Sequence, residues 1–253
     1  MARYAFISDI HGNLFALEVV LQEIERLGVD GIICLGDIVG YGPHPAECLD
    51  IIADRTDFCI QGNHDLAVID DTEIKRFNST AASAIEFTKT RLHPRHLSQI
   101  AEMPAMGFLD QVTVSHGSPV VDGPTDYIHD QHIAALAYGG FDNFCLFVGH
   151  THIPIAFGTP EVGYAMVDAK DIRVALLPPR LPLRLDPGYR YIINPGSVGQ
   201  PRDGNPESSF GILDTGTCSF AVYRIPYDVD AAHKAILEAG LPNFLAQRLR
   251  VGA

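Results

Sequence analysis

Five short stretches carry the residues best able to do chemistry: Ser8-Asp9-Ile10-His11-Gly12-Asn13, Gly36-Asp37, Gly62-Asn63-His64-Asp65, His116, and Gly149-His150-Thr151-His152. Carboxylate, carboxamide and imidazole are oxygen and nitrogen donors of the kind that hold divalent metal ions. In an extended backbone, residues two apart point to the same side, so Asp9 and His11 are expected to converge on one point. His150 and His152 repeat that spacing. Gly12 permits a tight turn, and Asn13 is suited to cap a following helix. Each group also has a plain structural reading when taken alone. Asp9 fits a capped turn, Asp37 a turn, Asn63 an Asx-turn and His116 a satisfied core histidine. Their recurrence at equivalent places is what singles them out.

Those places are strand ends. Residues 3–7 form an aromatic and β-branched run, and Leu14, Leu17, Leu21, Ile24 and Leu27 follow at helical spacing. Residues 31–35 and 57–60 are two further apolar strands, each ending in a polar loop that contains glycine and leads into a helix. The order strand, loop, helix, met three times, predicts βαβ units and a parallel sheet. Strands are also expected over 111–115 and 144–148, ending at His116 and at His150 and His152. In open α/β sheets the carboxyl ends of strands are where ligands bind, so the five clusters are expected on one rim. Residues 66–106 read as mainly helical, a helical insertion beside the site, and 120–130 as irregular. Short strands over 153–157, 164–167, 172–177, 190–193, 209–213 and 219–224 predict a second, more antiparallel sheet. A last helix is expected over 229–239.

In combination and order these motifs resemble the calcineurin-like metallophosphoesterase superfamily, over residues 8–152, and Ile193-Asn194-Pro195-Gly196-Ser197 resembles a segment of its small prokaryotic members. The resemblance implies a four-layer α/β/β/α sandwich of two mixed sheets. It also implies a two-metal site between them. Asp9, His11, Asp37 and His152 would hold one ion. Asp37, Asn63, His116 and His150 would hold the other, with Asp37 bridging. Oxygen and imidazole ligands without thiolate suit Mn, Fe, Zn or Ni. Two such ions about 3.5–4 Å apart activate a hydroxide and clamp the phosphoryl oxygens. By the same resemblance, His64 is the general acid or a phosphate binder. Two departures bear on substrate. Protein Ser/Thr phosphatases and symmetric diadenosine-tetraphosphate hydrolases carry Asp-Arg-Gly where this chain has Gly40-Tyr41-Gly42. Some small phosphodiesterases replace the third-motif histidine by cysteine, whereas His64 is kept here. The expected function is two-metal hydrolysis of small phosphodiesters or nucleotide-like phosphates. The alternatives are activity of the protein-phosphatase or diadenosine-tetraphosphatase kind, or a metal-binding scaffold of the same fold. Tyr41, flanked by glycines, and Arg202, in a Gly/Pro loop, are candidate substrate contacts. His44 lies seven residues after Asp37 and is a further histidine within reach of that loop.

Composition narrows the partners. The 253 residues read as one domain, and the net charge of −13 argues against binding long nucleic acid through a general positive field. A small phosphate ester remains compatible, because bound cations reverse the potential locally. No apolar run is long enough to span a bilayer. The five cysteines are scattered and form no Cys-x-x-Cys pair, which fits a reducing compartment, and the expected location is the cytoplasm.

Overall fold

The structure is a computed structural model, and it describes residues 1–120, 127–161 and 166–253. Its strands are β1 (Arg3–Ile7), β2 (Gly31–Cys34), β3 (Phe58–Cys59), β4 (Met106–Leu109), β5 (Val112–Ser115), β6 (Cys145–Phe147), β7 (Pro154–Pro160), β8 (Arg173–Leu176), β9 (Leu183–Arg184), β10 (Tyr189–Pro195), β11 (Ser208–Asp214) and β12 (Ser219–Ile225). Its helices are α1 (Leu14–Leu27), α2 (Pro45–Arg55), α3 (Asn63–Ile69), α4 (Asp71–Ile74), α5 (Ser79–Arg91), α6 (Pro94–Glu102), α7 (Gln131–Ala137), α8 (Val229–Glu238) and α9 (Asn243–Val251).

The strands form two six-stranded mixed sheets, ordered β3-β2-β1-β11-β12-β9 and β4-β5-β6-β10-β7-β8. Each has a parallel centre, β3-β2-β1 in one and β5-β6-β10 in the other, extended by antiparallel strands. The period-2 alternation of strand side chains builds the layers. Ala5 and Ile7 of β1 pack toward Leu17, Leu21 and Ile24 of α1, while Phe6 between them faces the other sheet. On β6, Cys145 and Phe147 face inward, and Leu146 packs outward with Ala134 and Ala137 of α7. Phe6 and Phe147 stack across the sandwich with ring centroids 3.8 Å apart. These three apolar layers make the expected helix-sheet-sheet-helix sandwich.

The later strands divide differently from the expectation. β9, β11 and β12 complete the first sheet, while β5 and β6 belong to the second. Pairing partner and sheet are decided by tertiary contacts that alternation within one strand does not reveal. A strand expected over 164–167 has residues 164 and 165 outside the described residues, and Met166 and Val167 are not strand. Residues 121–126, within the stretch expected to be irregular, also lie outside the described residues. Residues 66–106 hold most of α3, then α4, α5 and α6, and Met106 already opens β4.

Candidate metal centre

Each chemically expected residue follows a strand: Asp9 and His11 after β1, Asp37 after β2, Asn63 and His64 after β3, His116 after β5, and His150 and His152 after β6. The first three groups come from one sheet and the last two from the other, so one rim is assembled from two sheets facing each other. The extended-backbone argument for Asp9 and His11 does not hold. Both lie past the end of β1 with φ near +50°, in the left-handed region. Asp37, His150 and His152 share that conformation, with φ of 53°, 66° and 62°. Convergence thus comes from tight left-handed turns. Such backbone is unfavourable outside glycine and persists where surrounding contacts impose it, characteristically at functional sites.

Those contacts are visible. The Asp9, His11 and Gly12 N–H groups donate to the carbonyls of Gly36, Asp37 and Ile38, tying the first loop to the second. Asn13 caps α1 as expected, accepting from the Ala16 N–H at 3.2 Å, and its Nδ2 donates to the Gly199 carbonyl at 2.8 Å. Asp65 pins the second and third loops together. Its Oδ1 accepts from the Ile38 and Val39 N–H groups at 3.0 and 3.1 Å, and its Oδ2 from Gly62 at 3.0 Å. Gly62 itself is required by space, because a Cβ there would collide with the Asp37 carboxylate and backbone N. Asn194 donates to the Gly149 carbonyl and to Thr151 Oγ1, and Ser197 Oγ donates to the Asp9 carbonyl at 2.8 Å. The segment 193–197 therefore joins the loops of the two sheets.

The ligand-type atoms fall into three overlapping groups, each with all its atoms within 4.8 Å of one another: Asp9, His11 and His152; His11, Asp37 and His64; Asp37, His116 and His150. All these side chains are buried, as is Asn63. Asp37 is central. Its Oδ2 lies 3.2 Å from His116 Nε2 and 3.7 Å from His11 Nε2, while its Oδ1 accepts the His64 N–H at 2.8 Å. Backbone carbonyls orient the imidazoles. His11 Nδ1 is 3.1 Å from the Val39 carbonyl, His116 Nδ1 is 2.7 Å from Leu35, and His152 Nδ1 is 2.5 Å from Gln200. Carbonyls only accept, so each Nδ1 carries the proton and each Nε2 is turned inward, as metal-binding histidines require.

Charge follows from this crowding. Burial pushes the Asp9 and Asp37 carboxyls up, but the imidazoles outweigh it and hold both below the usual carboxylate range. His152 and His116 act on Asp9, and His116 and His64 on Asp37. Burial depresses His11 and His152, and takes His64 to about 4 and His150 to about 3. At His116 burial also pulls down, yet the adjacent Asp37 charge raises it to about 10. Two carboxylates against one imidazolium leave the cluster net negative. Two buried acceptor positions, Asn63 Oδ1 and His150 Nε2, make no hydrogen bond. A negative pocket of O and N donors with unused lone pairs fits divalent cations.

The profile of the calcineurin-like phosphoesterase superfamily domain matches residues 3–217. The chain belongs to that superfamily. This phosphoesterase is 36% identical over 253 residues to an uncharacterised protein of Methanocaldococcus jannaschii, covering 98% of the chain and 97% of that protein. It is 27% identical over 231 residues to the Escherichia coli phosphodiesterase YfcE, covering 87% and 91%. A metallophosphoesterase structure from Sphaerobacter thermophilus is 37% identical, with a TM-score of 0.86 over 100% of this chain and 99% of the other. A Pyrococcus horikoshii structure, 20% identical with a TM-score of 0.78, has the same fold over 100% of this chain and 99% of its own. The protein is therefore a hydrolase of phosphoesters whose family implies divalent metal ions. Among its described residues, no helix is long and apolar enough to cross a membrane.

Around the phosphoesterase centre, Tyr41 packs against the rings of both His11 and His64, with centroids 4.6 and 4.4 Å away. Phe77, from the segment between α4 and α5, lies 4.6 Å from the His64 ring on another side. Arg202 lies 5.8 Å from the Tyr41 ring. His44 stands apart, at the N-cap of α2 beside Phe15 and Glu47. Sequence reasoning missed Asp65, although it stands inside the third motif, because its partners are backbone groups of another loop. It also missed Tyr127, which stacks on His150 with centroids 3.7 Å apart and lies in no recognisable motif.

Proposed function

We propose that the protein hydrolyses small phosphodiesters or nucleotide-like phosphate substrates with two divalent transition-metal ions. Asp9, His11, Asp37 and His152 would hold one ion, and Asp37, Asn63, His116 and His150 the other. The observation that carries this reading is the three overlapping groups of buried ligand-type side chains, two of which share Asp37, together with the unpartnered His150 Nε2 in one of them. When bound, such ions supply neutralisation of phosphoryl charge and acidification of a water at neutral pH.

The chain's own groups do the rest. His64 Nδ1 is buried against Gly40, where a Cβ would collide with it, which leaves Nε2 as the nitrogen able to meet a substrate oxygen. Burial keeps this imidazole neutral, while the Asp37 charge pulls its pKa upward. An arriving phosphate acts in the same direction as Asp37 and favours the protonated form that donates to a leaving oxygen. Tyr41 and Phe77 fix the ring on two sides.

The preference for diesters rests on Gly40 and Tyr41, which stand where protein Ser/Thr phosphatases and symmetric diadenosine-tetraphosphate hydrolases carry Asp and Arg. A monoanionic diester needs less positive charge than a dianionic monoester. Comparison of kcat/KM for bis-p-nitrophenyl phosphate, p-nitrophenyl phosphate and a phosphoserine peptide, with Mn, Ni, Mg and Zn supplied in turn, tests this. The diester is expected to be best. A phosphopeptide that outperforms both contradicts the diesterase reading.

A further inference from the structure

The ring of His64 is held differently from its neighbours. His11, His116 and His152 each have Nδ1 on a backbone carbonyl, which fixes the ring. His64 Nδ1 is buried and, among the described residues, has no hydrogen-bond partner. It faces Gly40, where any side chain would collide with it, so position 40 can supply no partner either. The backbone is secured, because the His64 N–H donates to Asp37 Oδ1 at 2.8 Å at the start of α3. The ring torsion is not. The last torsion of a histidine side chain is broad, and without a hydrogen bond only packing limits it.

That packing is aromatic. The ring centroids of Tyr41, Phe77 and His11 lie 4.4, 4.6 and 4.8 Å from that of His64. Tyr41 sits in the second loop with φ of 58°, and it also packs on His11. Phe77 comes from elsewhere. It stands in none of the five motifs, in the segment between α4 and α5. Its neighbours Lys75, Arg76, Asn78 and Ser79 are exposed, whereas Phe77 is half-buried and packs, with Ile74, on the apolar layer that joins β1 to α1. Its N–H donates to the Ile74 carbonyl at 3.0 Å, and the adjacent Asn78 caps α5, accepting from the Ala81 N–H at 2.9 Å. The chain is thus pinned on both sides of the one ring that this segment turns toward His64.

We propose that Phe77, together with Tyr41, is a positioning residue: the two rings hold the rotation of His64 so that Nε2 faces the leaving oxygen, in place of a hydrogen bond at Nδ1. This rests on the reading of His64 as the acid of a phosphodiesterase, and it gives the 66–106 helices a part in the reaction. The demand is geometric. Proton transfer needs heavy atoms about 2.6–3.2 Å apart, and a misplacement of about 1 Å costs about 10²-fold. An imidazole free to turn about its last torsion spends time with Nε2 off that oxygen. Because Tyr41 also touches His11, a proposed metal ligand, Phe77 is the side chain whose loss isolates the effect.

Two diesters of thymidine test this on the manganese-loaded protein. The dinucleotide thymidylyl-(3′→5′)-thymidine loses an alkoxide and needs the acid, whereas thymidine 5′-(p-nitrophenyl phosphate) loses a stable anion. Phe77→Leu is expected to lower kcat for the dinucleotide about tenfold or more, with KM little changed and the p-nitrophenyl diester nearly unaffected. Phe77→Tyr, which keeps the ring, retains the rate. In a His64→Gln background Phe77→Leu has no further effect, because it acts through that imidazole. Equal slowing of both diesters by Phe77→Leu where His64→Gln discriminates between them overturns the proposal, as do effects that multiply in the double variant. If Phe77→Leu does not fold, Phe77→Met is judged by the same results. If His64→Gln slows both diesters equally, the acid reading fails and the double variant alone decides whether Phe77 acts through His64. If neither diester is hydrolysed, the phosphodiesterase reading fails and NMR of the zinc-loaded protein decides. The His64 ring protons, identified by their loss in His64→Gln, are expected as one sharp set with an Hε1 contact to the Gly40 α protons. Phe77→Leu is expected to broaden or double that set. A single sharp set that keeps the Gly40 contact in Phe77→Leu overturns the positioning role.

Discussion

The Nε2 atoms of His11 and His152 lie 3.2 Å apart, and neither imidazole has a proton to spare for the other. Each Nδ1 is committed to a carbonyl, Val39 for His11 and Gln200 for His152, so two lone pairs meet beside the Asp9 carboxylate. This arrangement is repulsive until a cation lies against it. Bound divalent metal is therefore expected to stabilise the fold strongly. At a thousandfold excess over Kd the gain is about 4 kcal/mol. For a chain of this length that raises Tm by about 10 °C. Differential scanning calorimetry with Mn or Zn, against chelator-treated protein, measures it. Identical melting in both conditions contradicts the expectation.

If His64 donates a proton to the leaving oxygen, its loss matters least when that oxygen leaves readily as an anion. His64→Gln is expected to slow an alkyl ester far more than a p-nitrophenyl ester, within the ~10²–10⁴-fold range of general acid catalysis. Steady-state kinetics on the two substrates separate the roles. Equal slowing of both assigns His64 to holding phosphate instead.

Asp65 accepts three buried backbone N–H groups from two loops and touches no position expected of a substrate. Asp65→Ala leaves those donors unsatisfied at about 1–3 kcal/mol each, with partial relief where the loop relaxes. A loss of about 3–5 kcal/mol in urea unfolding is expected, together with weaker metal binding. A loss below about 1 kcal/mol shows that the loops are held by other means.

The motif positions were legible because metal chemistry restricts which residues stand at strand ends, and glycine beside them marks the turns. Asp9, His11, Asp37, His64, His116, His150 and His152 all reach the same buried cluster, and Asn63 is buried next to His64 in the chain. How they reach it was not legible. Period-2 alternation describes an extended chain, and Asp9 and His11 have left it for the left-handed region, which is imposed by partners on other loops. The division of strands between sheets was hidden for a related reason. Val112–Ser115 and Cys145–Phe147 read as continuations of the first parallel series, and only inter-sheet packing such as Phe6 on Phe147 separates them.

Metal stoichiometry tests the central claim most directly. Elemental analysis of protein prepared without chelator and incubated with Mn, Fe or Zn is expected to give about two ions per chain, the count of a bridged binuclear centre. Asp37→Asn removes the shared carboxylate and is expected to lower the content of both ions together, with circular dichroism confirming that the variant is folded. Protein that retains no metal under these conditions, or an Asp37→Asn variant that keeps two ions at undiminished affinity, contradicts the account.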